Sequence, residues 1–206
     1  MNQEQLQIAR DVLKLPDLLT RFDRVWSSGQ PEYRLRLREA LAKQVASKSD
    51  WQQALNLDRP PRLQECSVSI SHSPLLGGFL LSSQSHIGFD IEQQARISSA
   101  VIRRICSEEE CAQAPQLNFL WSAKEAAYKS LIAPLQPETT SEIRTSLWQE
   151  LEGNSYNIWS FSFSVQQVTQ NHLSKNLGLG LLFDSFPHFF SICKNTSQLW
   201  SSSSDT

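Results

Sequence analysis

Residues 87–92 read IGFDIE, a run in which apolar residues alternate with glycine and two carboxylates. Alternation of this kind is typical of a β-strand with one face turned to a core. Asp90 and Glu92 then share the opposite face, which we expect to be exposed, with Cα atoms about 7 Å apart. The stretch is predicted to be the third strand of a sheet that begins with a hairpin over residues 67–81, around a turn at 74–78.

Further elements are predicted on both sides of this strand. Before it, apolar spacing indicates a helix from about Glu32 to Val45, and two prolines mark residues 58–62 as a connector. After it, Ser107 and Glu110 form a possible capping box, and a helix runs from Leu117 to Leu131, limited by Pro134. Three strands are predicted to follow, over Trp159–Val165, Leu177–Phe183 and Phe189–Cys193. The order of helix and then strands therefore occurs twice.

Composition limits the classes of function. The chain has 206 residues, 40% of them hydrophobic, and a formal net charge of -2, which excludes the broad basic field of non-specific nucleic-acid binding. Its four cysteines lack zinc-site spacing, so we expect reduced thiols. Residues 1–20 show no secretory signal, and no apolar run is long enough to span a membrane, so a cytoplasmic location is expected, with a mobile tail at 201–206.

The paired carboxylates on the predicted strand favour a cation. Two such groups on one face repel each other unless something positive lies between them. A solvated strand edge protected by acidic side chains is an equally ordinary explanation for the pair alone.

The predicted helix after this strand adds a third carboxylate. Trp121, Glu125 and Lys129 follow at intervals of four and form one ridge. A surface ion pair between Glu125 and Lys129 is the plain interpretation. In the functional interpretation, Glu125 joins Asp90 and Glu92 around magnesium or manganese, while Lys124 and Lys129 supply positive charge to phosphoryl oxygens.

Ser71 and His72 lie where the first strand of the hairpin enters its turn. Both side chains can donate to a phosphate, although a turn hydroxyl and a partly exposed histidine explain them as well. A serine nucleophile is disfavoured because no GxSxG elbow surrounds Ser71.

Three stretches together resemble the 4'-phosphopantetheinyl transferases. Residues 69–73 (SISHS), 88–92 (GFDIE) and 121–129 (WSAKEAAYK) follow that family's SHS, G(V/I)DxE and (F/W)xxKExxxK motifs in order, with Phe89 as the chief departure. The resemblance implies an α+β fold of the longer, single-chain type. In that type two similar halves, each a small mainly antiparallel sheet packed with a long helix, hold the active site between them. We expect halves at 1–100 and 101–200, a tail at 201–206 and a monomer.

The resemblance also implies a reaction: transfer of 4'-phosphopantetheine from coenzyme A to a serine of an apo acyl or peptidyl carrier protein, with Mg²⁺ and release of adenosine 3',5'-bisphosphate. Asp90, Glu92 and Glu125 would bind the metal, and Glu125 or a bound water would take the serine proton. Lys129 would stabilise charge on the phosphate. Coenzyme A would contact Ser71, His72, Arg59, Lys129 and Arg34.

Several basic residues have no assigned role. Arg36, Arg38 and Lys43 fit a solvated helix face, while Arg103 and Arg104 fit either a carrier-docking surface or ordinary surface charge. The motifs do not distinguish carriers of fatty acid, polyketide, nonribosomal peptide or lipid synthesis. A non-catalytic coenzyme A-binding protein and a metal-dependent phosphohydrolase are the alternative functions.

Overall fold

The fold is α+β, as predicted. The computed structural model describes residues 1–83, 86–94, 96–132, 135–152, 156–165, 176–185 and 187–196. Along these ranges the chain forms α1 (Gln3–Leu13), β1 (Leu19–Asp23), α2 (Tyr33–Ala42), α3 (Lys48–Leu55), β2 (Ser67–His72), β3 (Gly77–Ser82), β4 (Ile87–Gln93), α4 (Ser99–Ile105), α5 (Glu108–Gln113), α6 (Leu117–Ser130), β5 (Ile143–Glu150), β6 (Asn157–Val165), β7 (Asn176–Ser185) and β8 (His188–Asn195).

Two antiparallel sheets organise the described strands. One has the order β1-β3-β2, and the other has the order β4-β8-β7-β6-β5. The predicted hairpin is confirmed as β2 and β3, but the prediction that residues 87–92 form its third strand is wrong. Strand β4 pairs instead with β8, where Phe89 lies opposite Ile192 and Asp90 opposite Ser191. Strand β4, which precedes residue 100, therefore belongs to a sheet whose other four strands all follow residue 100.

The two sheets meet along a seam of serine side chains. Ser67, Ser69 and Ser71 of β2 accept hydrogen bonds through Oγ from the backbone N–H groups of Ile87, Phe89 and Ile91, at 3.1, 2.9 and 3.1 Å. We call these residues the serine seam. In a β-ladder these N–H groups would donate to backbone carbonyls of a neighbouring strand. Here serine hydroxyls accept the bonds instead, so the N–H groups on this edge of β4 have partners although β2 and β4 do not form one sheet.

Both faces of β4 are buried, which corrects the expectation of an exposed carboxylate face. Ile87, Phe89 and Ile91 enter a core shared with α1, while α6 covers the face that carries Asp90 and Glu92. A Cβ on Gly88 would overlap the carbonyl of Ala126. The glycine therefore permits the close crossing of helix and strand that brings α6 to the carboxylates.

The other predicted elements vary in accuracy. The predicted helices appear as α2, which ends at Ala42 rather than Val45, and as α6, and the Ser107–Glu110 capping box is present at the start of α5. The late strands are confirmed as β6, β7 and β8. Pro134 and the tail at 201–206 lie outside the described residues.

Some elements were not predicted: α1, β1, α3, α4 and β5. Helix α1 begins at Asn2, whose side chain forms a capping box with Gln5, and it packs Leu6, Ala9 and Leu13 against strands of the five-stranded sheet. The division into halves at residue 100 stays a prediction.

All four cysteines are free thiols, as expected. Within the part of the chain that the structure describes, no helix is long and apolar enough to cross a bilayer.

Candidate active site

A cleft of about 630 Å³ lies between α2, the connector at 57–61, β2 and the end of α6. Its lining includes one carboxylate, Asp58, and four cationic side chains: Arg34, Arg38, Arg59 and Lys129. The cleft is therefore locally positive, although the net charge of the whole chain is -2. A cleft so lined favours an anionic ligand such as a phosphate ester.

His72 forms part of the cleft wall at the end of β2. Its ring meets that of Tyr33 edge-on, with centroids 4.8 Å apart, and its Nε2 lies 3.2 Å from the Tyr33 hydroxyl. Burial lowers the pKa of His72, and the positive charges of Lys129 and Arg34 lower it further. The imidazole is therefore held in place and favoured in its neutral form.

Arg38 was misjudged from the sequence. Arg36 and Lys43 are exposed, as a solvated helix face requires, but Arg38 is 7% exposed and lines the cleft. Its Nη2 donates to the carbonyl of Arg59 at 2.5 Å, which ties the connector to α2. Burial lowers the pKa of this guanidinium. Regular helical spacing after Arg34 places Arg38 on the same face, which is the signal that could have identified it.

Lys129 connects the cleft to the carboxylates. From the cleft, its Nζ donates to Asp90 Oδ1 at 2.8 Å, to the Phe89 carbonyl at 3.1 Å and to Ser71 Oγ at 3.4 Å. The side chain is 28% exposed, whereas that of Asp90 is 5% exposed. A partly exposed cation beside a buried carboxylate is thus presented to any ligand in the cleft.

The ridge predicted on α6 faces the carboxylates of β4. Trp121 Nε1 donates to Glu92 Oε1 at 3.2 Å, and Lys129 bonds Asp90, so the helix contacts both carboxylates. Glu125 lies midway along this ridge, half-buried, and in the described part of the chain it forms no hydrogen bond or ion pair. Burial raises the pKa of Glu125, and Asp90 raises it further against the opposing effect of Lys129.

Asp90 and Glu92 each keep one buried oxygen that forms no hydrogen bond with any residue that the structure describes. These are Asp90 Oδ2 and Glu92 Oε2, and the nearest cation to the latter is Arg96, at 3.7 Å. Burial and then the Asp90 carboxylate raise the pKa of Glu92 to about 7. Two carboxylates buried on one face, each with an oxygen that no described donor reaches by a hydrogen bond, favour a bound cation.

The side chains are not arranged as a finished metal site. Among the described residues, no group of three or more His, Cys, Asp or Glu side chains is placed to hold a metal ion. Asp90, Glu92 and Glu125 are brought to one region, on facing elements, and Lys129 takes one oxygen of Asp90.

Lys124 does not belong to this region, contrary to the predicted phosphate contact. Its side chain is fully buried, and its Nζ donates to Glu110 and to the carbonyls of Ile105 and Ile143. Burial alone would raise the pKa of Glu110, but hydrogen bonds from Lys124, Ser107 and Thr145 hold this pKa below its ordinary value. Lys124 therefore ties α6 to α5 and β5, one helical step away from Glu125.

The remaining predicted residues lie in different places. Arg34 and Arg59 line the cleft, where both are exposed. The Ser71 hydroxyl points to Asp90, 2.9 Å from its Oδ1, and Ser71 is not among the cleft-lining residues. Arg103 and Arg104 are exposed in the last turn of α4.

Comparison with known proteins gives one family. Residues 86–172 match the family model described as the 4'-phosphopantetheinyl transferase superfamily. No curated protein matches the chain. The matched stretch contains Asp90, Glu92, Glu125 and Lys129, whereas Ser71, His72 and the arginines of the cleft precede it. The match supports a transferase and, in general terms, phosphopantetheine transfer.

Proposed function

We propose that this protein transfers 4'-phosphopantetheine from coenzyme A to a serine of an apo acyl or peptidyl carrier protein. The observation that carries the proposal is the position of Lys129. Lys129 lines the cationic cleft, and its ammonium group bonds Asp90, near the start of the stretch that matches the family model. A phosphorylated ligand in the cleft would thus lie beside the carboxylates at its end.

The cleft supplies contacts for the phosphates of coenzyme A. Arg34 and Arg59 would hold phosphate groups through their forked N–H donors, and His72, fixed by Tyr33, would add a further donor. Lys129 would meet the pyrophosphate and stabilise charge that develops there during transfer. Arg38 supports this arrangement by anchoring the backbone of Arg59.

Asp90, Glu92 and Glu125 are the residues that would hold Mg²⁺, or Mn²⁺ in its place. Among the described residues, one buried oxygen each of Asp90 and Glu92 lacks a hydrogen bond and the Glu125 carboxylate has no partner, and such oxygens fit a hard cation, which prefers oxygen ligands. When bound, such an ion neutralises charge on the pyrophosphate.

Glu125 is the candidate general base, acting directly or through a water. The carrier serine Oγ would form a bond to the β-phosphorus of coenzyme A as the bond to the bridging oxygen breaks, releasing adenosine 3',5'-bisphosphate. The serine proton would pass to Glu125.

The longer, single-chain family type is part of the proposal, with a monomer holding its site between two halves. In support, Arg34 and His72 come from before residue 100 and Glu125 and Lys129 from after it, and the cleft contains residues from both. The exposed arginines of α4, Arg103 and Arg104, are proposed to meet the carrier. Reversal of both to Glu should raise the KM for the carrier, and an unchanged KM would remove this docking role.

The test is incubation with coenzyme A, MgCl₂ and an apo carrier protein, followed by mass spectrometry of the carrier. We expect a phosphopantetheine adduct with the wild-type protein and none with Asp90→Ala or Glu125→Gln, while circular dichroism shows both variants folded. Release of nucleotide without an adduct would indicate a phosphohydrolase. Tight coenzyme A binding with no adduct on any carrier would indicate a binding protein.

A further inference from the structure

Ser71 differs from the other members of the serine seam in what its hydroxyl does. All three serines accept a backbone N–H of β4. Within the described part of the chain, Ser71 alone of the three also donates, to Asp90 Oδ1 at 2.9 Å, and it lies 3.4 Å from Lys129 Nζ. The same hydroxyl therefore contacts the backbone of β4, a carboxylate and an ammonium group.

These contacts use the whole capacity of the hydroxyl. A serine has one O–H donor and two acceptor lone pairs. The donor goes to Asp90, and the lone pairs receive the N–H groups of Ile91 and Lys129. Since Ser71 is only 6% exposed, no donor remains for a phosphate in the cleft. The contacts favour a role inside the site over direct contact with coenzyme A.

The arrangement fixes one oxygen of Asp90 and leaves the other open. Oδ1 accepts hydrogen bonds from both Ser71 and Lys129, whereas Oδ2 is buried and accepts none from the described residues. Rotation of the carboxylate is therefore restrained by a donor that is itself anchored to the backbone of β4. Hydrogen bonds of this kind to a ligand carboxylate hold it in the orientation that a metal needs.

We infer that Ser71 is a positioning residue that orients the Asp90 carboxylate for a divalent cation. This inference rests on the proposed function, since it assigns Asp90 to the cation of that reaction. It replaces the expected contact between Ser71 and coenzyme A with an effect transmitted through Asp90.

The experiment compares Ser71→Ala with Ser67→Ala, which also loses a seam hydrogen bond but, among the described residues, bonds no carboxylate. Binding of Mn²⁺ is titrated by the electron paramagnetic resonance signal of the free ion, and coenzyme A binding is measured by calorimetry with a chelator present. Ser71→Ala should weaken Mn²⁺ binding by about 10- to 100-fold, whereas Ser67→Ala should match wild type. Metal-free coenzyme A affinity should be unchanged in both.

Equal Mn²⁺ affinity in the two variants would overturn the inference, as would loss of metal-free coenzyme A binding in Ser71→Ala. It also fails if the wild-type protein binds no Mn²⁺. Binding of Mn²⁺ without phosphopantetheine transfer would instead reject the proposed function, and the variants would still decide the role of Ser71. If Ser71→Ala does not fold, Ser71→Cys, with its weaker donor, should show reduced Mn²⁺ affinity, and wild-type affinity would overturn the inference.

Discussion

Lys124 and Lys129 lie on the same helix but differ in their contacts. Lys124 is buried and bonds Glu110, whereas Lys129 bonds Asp90 and lines the cleft. Replacement of Lys124 by Met leaves two carbonyls without their buried donor and Glu110 with Arg144 as its cationic partner. We expect the free energy of unfolding to fall by about 3 kcal/mol. Lys129→Met should cost less, about 1–2 kcal/mol, because Ser71 still donates to Asp90, but it should abolish transfer.

Urea denaturation of both variants checks the stabilities, and calorimetry with coenzyme A checks the ligand contact. Lys124→Met, studied under conditions where it is folded, should keep its affinity for coenzyme A, since this lysine does not line the cleft. Equal losses of stability, or a loss of coenzyme A binding only in Lys124→Met, would contradict the assignment.

The pKa of Glu92 predicts a pH dependence of stability. Its pKa is raised from 4.5 to about 7 in the folded protein, chiefly by burial and then by Asp90. The folded state therefore holds a proton that the unfolded state has lost between these two values. The stability that this proton contributes is complete below about pH 4.5 and is lost as pH rises through about 7.

Comparison with Glu92→Gln isolates this effect. With metal removed by a chelator, the free energy of unfolding of wild type relative to the variant should fall by about 3 kcal/mol from pH 4.5 to pH 7. Urea titrations across this range measure the difference. A difference that stays flat or grows with pH would show that Glu92 does not carry the raised pKa.

At the scale of the elements, β5 contains a strained position at the edge of the larger sheet. Leu147 has φ of 55°, lies at a shift in the register between β5 and β6, and is 68% exposed. The left-handed conformation costs a branched residue about 1–2 kcal/mol, and glycine avoids this cost while losing about 0.5–1 kcal/mol of chain entropy.

Leu147→Gly should therefore raise the free energy of unfolding by up to about 1 kcal/mol. Leu147→Ala serves as the control, because it removes the exposed side chain but keeps the Cβ responsible for the strain. Chemical denaturation of both variants distinguishes the two effects. A gain in Leu147→Ala equal to that in Leu147→Gly would attribute the effect to the side chain rather than to the backbone.

For the whole molecule, local patterns predicted elements better than their partners. Strict alternation identified β6, and the ridge of Trp121, Glu125 and Lys129 was placed correctly against β4. The partner of β4 was not predictable, because alternation fixes the faces of a strand and not its neighbours. The apolar face of β4, formed by Ile87, Phe89 and Ile91, could pack in either sheet. The backbone bonds of β4 to β8, and its bonds to serine side chains rather than to the backbone of β2, place it in the larger sheet.

The candidate site was predictable to the extent that its residues lie in short motifs. Asp90, Glu92, Glu125 and Lys129 each lie on the predicted element, with their side chains in one region. The burial of Lys124 was not predictable, since it depends on Glu110 from another helix and on a carbonyl of β5. Arg38 was predictable as a cleft residue from its spacing after Arg34, but its bond to the Arg59 carbonyl depends on the connector and was not.

Helix α1 packs in a hydrophobic core to which strands of both sheets contribute. Its residues Leu6, Ala9 and Leu13 pack in one cluster with Leu80 of β3 and with strands of the five-stranded sheet. No sheet has a core of its own on that side, since residues from before and after position 100 share it. We therefore expect unfolding in a single transition, even though the chain has two sheets.

Leu13→Ala tests this expectation. Leu13 is 1% exposed, so its truncation should cost about 2–5 kcal/mol, while Asp11→Ala, an exposed position on the same helix, should cost little. Far-ultraviolet circular dichroism and tryptophan fluorescence should give one shared urea midpoint in wild type, and Leu13→Ala should lower both together. Separate midpoints, only one of which responds to Leu13→Ala, would instead show two halves that unfold independently.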